Sequence, residues 1–206
     1  MSTTIDRTNP AVLAPVAAFA ALTIAYVATN ARTPHPDASG ADVLAYTTAH
    51  AGLIDAGALL LVLSAASLAI AAGLIQRVLR GPSIATIGGA LAAGGLTFSA
   101  LFTWSGGRLN GAAAPELARA IADLGYLSGG PAYAAGFGLL AVGIAIPALL
   151  ERKLPTWLIW CGLAVAAAAA LSTLALVVSG FAFLLPVVRF GGLLWLIAVA
   201  VVLSRR

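Results

Sequence analysis

"AGLIDAGALLLVLSAASLAIAAGLIQRVLRGPSIATIGGALAAGGLTFSALFTW", residues 51–104, decides the class of this chain. Two apolar runs stand on either side of "QRVLRGPS", a short link that carries Arg77 and Arg80. Each run reaches the roughly 20 residues that an α-helix needs to cross the hydrocarbon of a bilayer. Neither alternates polar and apolar positions, so barrel strands are excluded. The stretch reads as two antiparallel membrane-spanning helices joined by a basic turn.

The rest of the chain extends that reading. Of its 206 residues, 61% are hydrophobic and only 9% are charged. A soluble domain carries about 25% charged residues, so lipid must be the solvent for most of this surface. Spans are expected at residues 11–29, 48–75, 82–104, 124–150, 155–178 and 186–203. The first is longer than the apolar core of a signal peptide, and no clear small-residue cleavage site follows it, so it reads as a span. The fold expected is all-α: a polytopic bundle of about six transmembrane helices, one integral membrane domain over residues 1–206. Cys161 is the only cysteine. It rules out an intrachain disulfide or a thiolate cluster, and inside an apolar run it reads as a small buried hydrophobe.

The net charge of +4 is spread singly between apolar runs. That pattern orients a membrane protein and does not build a nucleic-acid surface. With both termini cytoplasmic, Arg7, Arg77, Arg80, Arg152, Lys153, Arg205 and Arg206 lie inside, against Arg32, Arg108, Arg119 and Arg189 outside. The excess of Lys and Arg on the inner side favours this orientation. The unusual chemistry then faces out, on the two longer loops, 30–47 and 105–123. In the second, Pro115 can open a short helix with Leu117, Ile121 and Leu124 at helical spacing, lying on the membrane or capping the bundle.

Both histidines, His35 and His50, fall in the first outer stretch, and Asp55 closes it. Two histidines and a carboxylate suit zinc, and two histidines can hold a haem axially. Yet five residues turn a helix by roughly 140°, so His50 and Asp55 cannot share one face. The favoured reading gives His35 and His50 no metal and no cofactor: His50 anchors the start of span two, and His35 sits in a turn beside Pro36. Asp55 lies at the edge of the hydrocarbon. A charge there calls for a partner, and Arg189, in the same leaflet on span six, is the partner expected. Glu116, Arg119 and Asp123 are spaced for local pairing on one helix. Ser64, Ser67, Thr97, Ser99, Ser172 and Thr173 are expected to bond within their own helices. Trp104, Trp157, Trp160 and Trp195 fit an aromatic belt.

From Gly129 the chain reads "GGPAYAAGFGLLAVGIAIPALLERKLPTWLIWCGLAVAAAAAL". It combines Gly130-Pro131 entering span four, Gly136 and Gly138, and the turn Leu154-Pro155-Thr156-Trp157. Pro186, Arg189, Gly192 and Trp195 mark the last span, and His35-Pro36 and Ala49-His50 the front. Together these resemble small six-helix membrane proteins of actinobacteria grouped under domain-of-unknown-function labels. The resemblance implies a six-helix integral membrane protein and carries no activity or cofactor.

With no nucleotide motif and no row of mid-membrane charges, the expected function is non-enzymatic. It is a small bundle in a bacterial plasma membrane that binds a lipid or apolar ligand, or serves as a sensory or accessory subunit. Its expected partners are membrane lipids and a membrane protein, and no nucleic acid. The alternative is an intramembrane enzyme or transporter with an outward-facing polar pocket formed by His50, Asp55, Asp123 and Arg189. A cavity joining those four would favour the alternative.

Overall fold

The computed structural model describes residues 10–80 and 82–205. Arg7 and Arg206, counted in the charge bias, lie outside them. The described residues form helices and turns with no strand. In order they are α1 (Pro10–Thr29), α2 (Gly40–Ala49), α3 (Ala51–Leu79), α4 (Ile84–Gly107), α5 (Pro115–Leu127), α6 (Tyr133–Leu150), α7 (Thr156–Ser172), α8 (Leu184–Pro186) and α9 (Gly192–Ser204). Six stretches are long and apolar enough to span: Ala11–Thr29, Ala51–Leu79, Ile84–Gly107, Pro115–Leu150, Thr156–Leu176 and Ser179–Ser204. The protein is a multi-pass membrane helix bundle.

The spans close into a ring. Neighbours run α1, α3, α4, α6, α7, α9 and back to α1. The span containing α6 is the most buried, and Phe137, Leu140 and Ile144 on it are fully enclosed. No hydrophobic force joins helices in lipid, so close backbone approach must do so. The α4–α6 seam achieves it with small residues. A β-carbon on Gly136 or Gly143 would collide with the backbone of Ala92 or Ala85, and one on Gly88 with the backbone at Leu140.

Interior polar groups add cross-links. Thr23 and Ser64 hydroxyls share a buried hydrogen bond of 2.9 Å between α1 and α3. Ser99 donates to the Gly125 carbonyl at 2.8 Å, tying α4 to α5. Ser67, Thr97, Ser172 and Thr173 bond within their own helices. Ser64 and Ser99 therefore depart from the expectation: Ser64 meets the Thr23 hydroxyl on the neighbouring helix, and Gly125, with no side chain, leaves its carbonyl within reach of Ser99. Trp195 departs too. It is buried, packs on Gly162 and donates Nε1–H to the Leu158 carbonyl at 2.8 Å. Trp104, Trp157 and Trp160 face outward. Cys161 is exposed rather than buried, since α7 packs through Leu158, Ile159 and Gly162.

On the face carrying the α3–α4 and α6–α7 links, Lys153 donates to the Leu79 carbonyl at 2.8 Å and to Val78 at 3.3 Å. A cation there satisfies the last carbonyls of α3 and suits its C-terminal dipole. On the opposite face, called the rim below, the loops are built up into a cap. The loop expected at 30–47 holds α2, started by Ser39, whose hydroxyl accepts from the Asp42 N–H. The helix starting at Pro115 caps the bundle by packing on α2 and α4. Its buried face is Ala118 and Gly125, whereas Leu117 and Leu124 are exposed. Val43, Leu44 and Ala118 form a small second core under this cap.

The spans depart from regular helix around two points. Ser128–Ala132 is a π-turn that joins α5 to α6 without a break. Pro131 has no N–H to return to Leu127, and the Tyr133 N–H reaches back to the Ser128 carbonyl instead. Pro131 is thus absorbed in one wide turn, and the short helix and span four become one rod. The second point is the link from α7 to α9. It passes through 3-10 turns at Thr173–Leu176 and Ser179–Phe183, then α8, then a π-turn at Val187–Gly191.

Candidate functional site

The two π-turns meet, and a cavity of about 940 Å³ opens beside them on the rim side. Its wall begins at the exposed loop residues His35 and Asp37 and reaches inward to Tyr133, which is only 2% exposed. The C-terminal end of α1, the rim half of α4, α5 and the 3-10 segment after Ser179 supply the sides. Much of that wall is apolar: Val27, Ile54, Phe102, Phe183, Leu185 and Phe190.

Arg189 is the charge at its inner end. The π-turn Val187–Gly191 carries it, and its Nη2 donates to the Gly129 carbonyl of the other π-turn at 3.2 Å. The guanidinium lies 5.2 Å from the centre of the Tyr133 ring and 5.9 Å from that of Tyr26. Both distances are within cation–π range. π-turns inside α-helices recur at functional sites because they re-aim side chains and free carbonyls. Here they place the Arg189 cation and the Tyr133 ring on a common wall, to which α1 adds Tyr26. The Tyr133 hydroxyl is buried and has no hydrogen-bond partner among the described residues.

The four residues expected to form a polar pocket are not brought together in it. Arg189 lines the cavity, whereas His50, Asp55 and Asp123 do not. Asp55 pairs with Arg108 at 3.8 Å, and no ion pair joins it to Arg189. The physical reason is hairpin register. Asp55 lies as far before Gly81 as Arg108 lies after Pro82, so adjacent antiparallel helices bring them to one depth. Arg108 also stacks on Trp104 at 4.6 Å. Asp55 and Arg108 side chains are 43% and 60% exposed, which marks a screened rim pair. A double-mutant cycle of Asp55→Asn and Arg108→Gln, read by thermal unfolding in detergent, should give a coupling of no more than about 1 kcal/mol. A coupling of several kcal/mol would mean that the pair is buried against another subunit or lipid.

Asp123 pairs with Arg119 at 2.5 Å, one turn away on α5, as its spacing suggests. Arg119 also donates to the Ala38 carbonyl at 3.3 Å and so clamps the loop before α2 onto α5. His50 is the joint between α2 and α3. Its ring stacks on Tyr46 at 4.5 Å, and its Nδ1 lies 3.0 Å from the Tyr46 carbonyl. His35 is at the cavity mouth and pairs with Asp37 at 3.1 Å. Among the described residues, no group of three His, Cys, Asp or Glu side chains is placed to share a metal ion.

No family model, curated protein or solved structure matches the chain. The site therefore has to be read from its own geometry. Sequence reasoning missed Tyr26 and Tyr133, since an aromatic in an apolar run ordinarily fills a core. The signal available was their company: a Gly-Gly-Pro-Ala immediately before Tyr133 and an arginine inside the last span.

Proposed function

We propose that this protein binds an apolar or amphipathic small molecule in the rim cavity, as a lipid-binding or sensory module of a bacterial plasma membrane. The orientation predicted by the Lys and Arg bias makes the rim the outer side. The supporting observation is the cavity itself. It holds about 940 Å³, inside the range of small-molecule sites, with apolar walls and few convergent polar groups. An enzyme or transporter of the kind considered would want acid–base groups in the wall. Here Asp55, His50 and Asp123 lie outside it, and Asp37 is at the mouth beside His35. The likeness to small six-helix actinobacterial membrane proteins belongs to this proposal and adds no activity to it.

Filling the cavity tests the reading. Thr103 on α4 and Ala182 in the 3-10 segment both line it and are neither fully buried nor fully exposed. Native mass spectrometry of protein extracted under mild conditions should show a bound small molecule of defined mass. Thr103→Trp and Ala182→Trp should each reduce that species by roughly tenfold while leaving the folded charge-state envelope intact. Equal occupancy in all three proteins would contradict a cavity site.

A further inference from the structure

We propose that the cavity selects an amphiphile with an oxyanion head, a carboxylate or a phosphate ester, seated on Arg189 and Tyr133. This rests on the ligand-binding reading above and gives the chemistry of its head group. Arg189 is carried by the last membrane span, five residues after α8 begins. A charge inside a span is expensive unless it faces a partner or water. Among the described residues no carboxylate lies within 4.0 Å of it; the other ion pairs are His35–Asp37, Arg108–Asp55, Arg119–Asp123 and Lys153–Glu151. One guanidinium N–H is used on Gly129, and the two tyrosine faces offer only their ring electrons. The remaining donors have no hydrogen-bond acceptor among the described residues.

A second, separate group makes the same demand. Tyr133 lines the same wall, and its hydroxyl is buried without a hydrogen-bond partner among the described residues. A buried hydroxyl left unsatisfied is destabilising, and a bound acceptor removes that penalty. An oxyanion can take one hydrogen bond from this phenol and two from the planar guanidinium fork, which matches carboxylates and phosphates. Of the other charged groups in the wall, Arg119 is matched by Asp123, and Asp37 stands exposed at the mouth. The uncompensated charge at the inner end of the cavity is therefore that of Arg189. The apolar sides at Phe102, Phe183 and Phe190 suit an alkyl chain leaving the head.

The test uses the full chain in phosphatidylcholine nanodiscs at pH 8. The probes are dodecanoate, dodecyl phosphate, dodecanol, acetate and inorganic phosphate. Thr103→Trp supplies the background for partition into the disc. Dodecanoate and dodecyl phosphate should bind about tenfold or more tighter than dodecanol, the step that one charge-assisted contact supports. Arg189→Gln should bring that ratio close to one without weakening dodecanol, whose binding also reports that the cavity is intact. Arg189→Lys should keep part of the preference, and Tyr133→Phe should reduce it several-fold. If Arg189→Gln does not fold, the other two variants decide. Equal binding of dodecanol and dodecanoate by the native chain would overturn the oxyanion head and leave the cavity reading standing. A preference untouched by the Arg189 and Tyr133 variants would also overturn it. Acetate or phosphate binding as tightly as the amphiphiles would remove the tail from the proposal. No binding of any probe would overturn the ligand-binding reading itself.

Discussion

Leucine at Gly136 is expected to destroy the folded bundle. Gly136 and Gly143 stand one above the other on α6, and a side chain on either would run into the α4 backbone at Ala92 or Ala85. The obstacle is main chain, which cannot turn aside as a side-chain tip can. Accommodating four carbons would push α4 and α6 apart and open the contacts that enclose Leu140 and Ile144. Overpacking a tight core typically costs 1–3 kcal/mol, and separating two backbones belongs at or above the top of that range, about 3 kcal/mol or more. Size-exclusion chromatography of detergent extracts after graded heating should show loss of the monodisperse peak at a much lower temperature. Gly94→Leu is the control, because nothing lies within 4 Å of a β-carbon there, and it should behave as the native protein does. A stable, monodisperse Gly136→Leu protein would mean that α4 and α6 do not meet through their small residues.

Trp195→Ala should have the next largest effect on stability. The indole is 4% exposed, seats against Gly162 and bonds Leu158 across the α7–α9 contact. Truncation leaves a large void between those helices, and big aromatic deletions cost about 3–5 kcal/mol in water-soluble cores. Lipid-solvated helices gain less from burial as such, so roughly 2–4 kcal/mol is expected. Trp195→Phe keeps most of the volume and loses the hydrogen bond, worth about 1 kcal/mol. The same heating assay should rank them native, then Phe, then Ala. If Phe falls as far as Ala, the hydrogen bond and not the packing holds α7 to α9.

The spans were legible because a membrane dictates them: twenty apolar residues leave a mark that composition alone reveals. What lay between them was less so. Ser39 and Asp42 form an N-cap pair in plain view, yet the segment up to Thr47 read as loop because α2 is short and weakly apolar. Gly130-Pro131 read as the entry to span four and not as a π-turn, because sequence periodicity does not say whether a helix starts, bends or widens by one residue. Arg189 was placed on the last span and given the wrong partner. Depth follows from counting along one span, but the direction a residue faces depends on its neighbours around the ring. For Asp55 the hairpin register would have supplied the answer, since Arg108 is its mirror position across the α3–α4 link. Trp195 read as belt for the same reason: nothing in a span end tells lipid from helix. The cavity was beyond reach, as its wall draws on segments from Tyr26 to Phe190 that only the ring closure assembles.

The central claim is that the rim cavity, and not the lipid-facing surface, is where this protein meets its ligand. Photo-crosslinking tests it most directly. A dodecanoate carrying a terminal diazirine would be irradiated with the protein in nanodiscs, and the labelled residues mapped by peptide mass spectrometry. The account predicts saturable labelling confined to the cavity wall, around Val27, Phe102 and Leu185, and abolished by Thr103→Trp. Labelling that does not saturate, spread over the exposed Leu59, Leu91 and Trp157 and indifferent to Thr103→Trp, would contradict it.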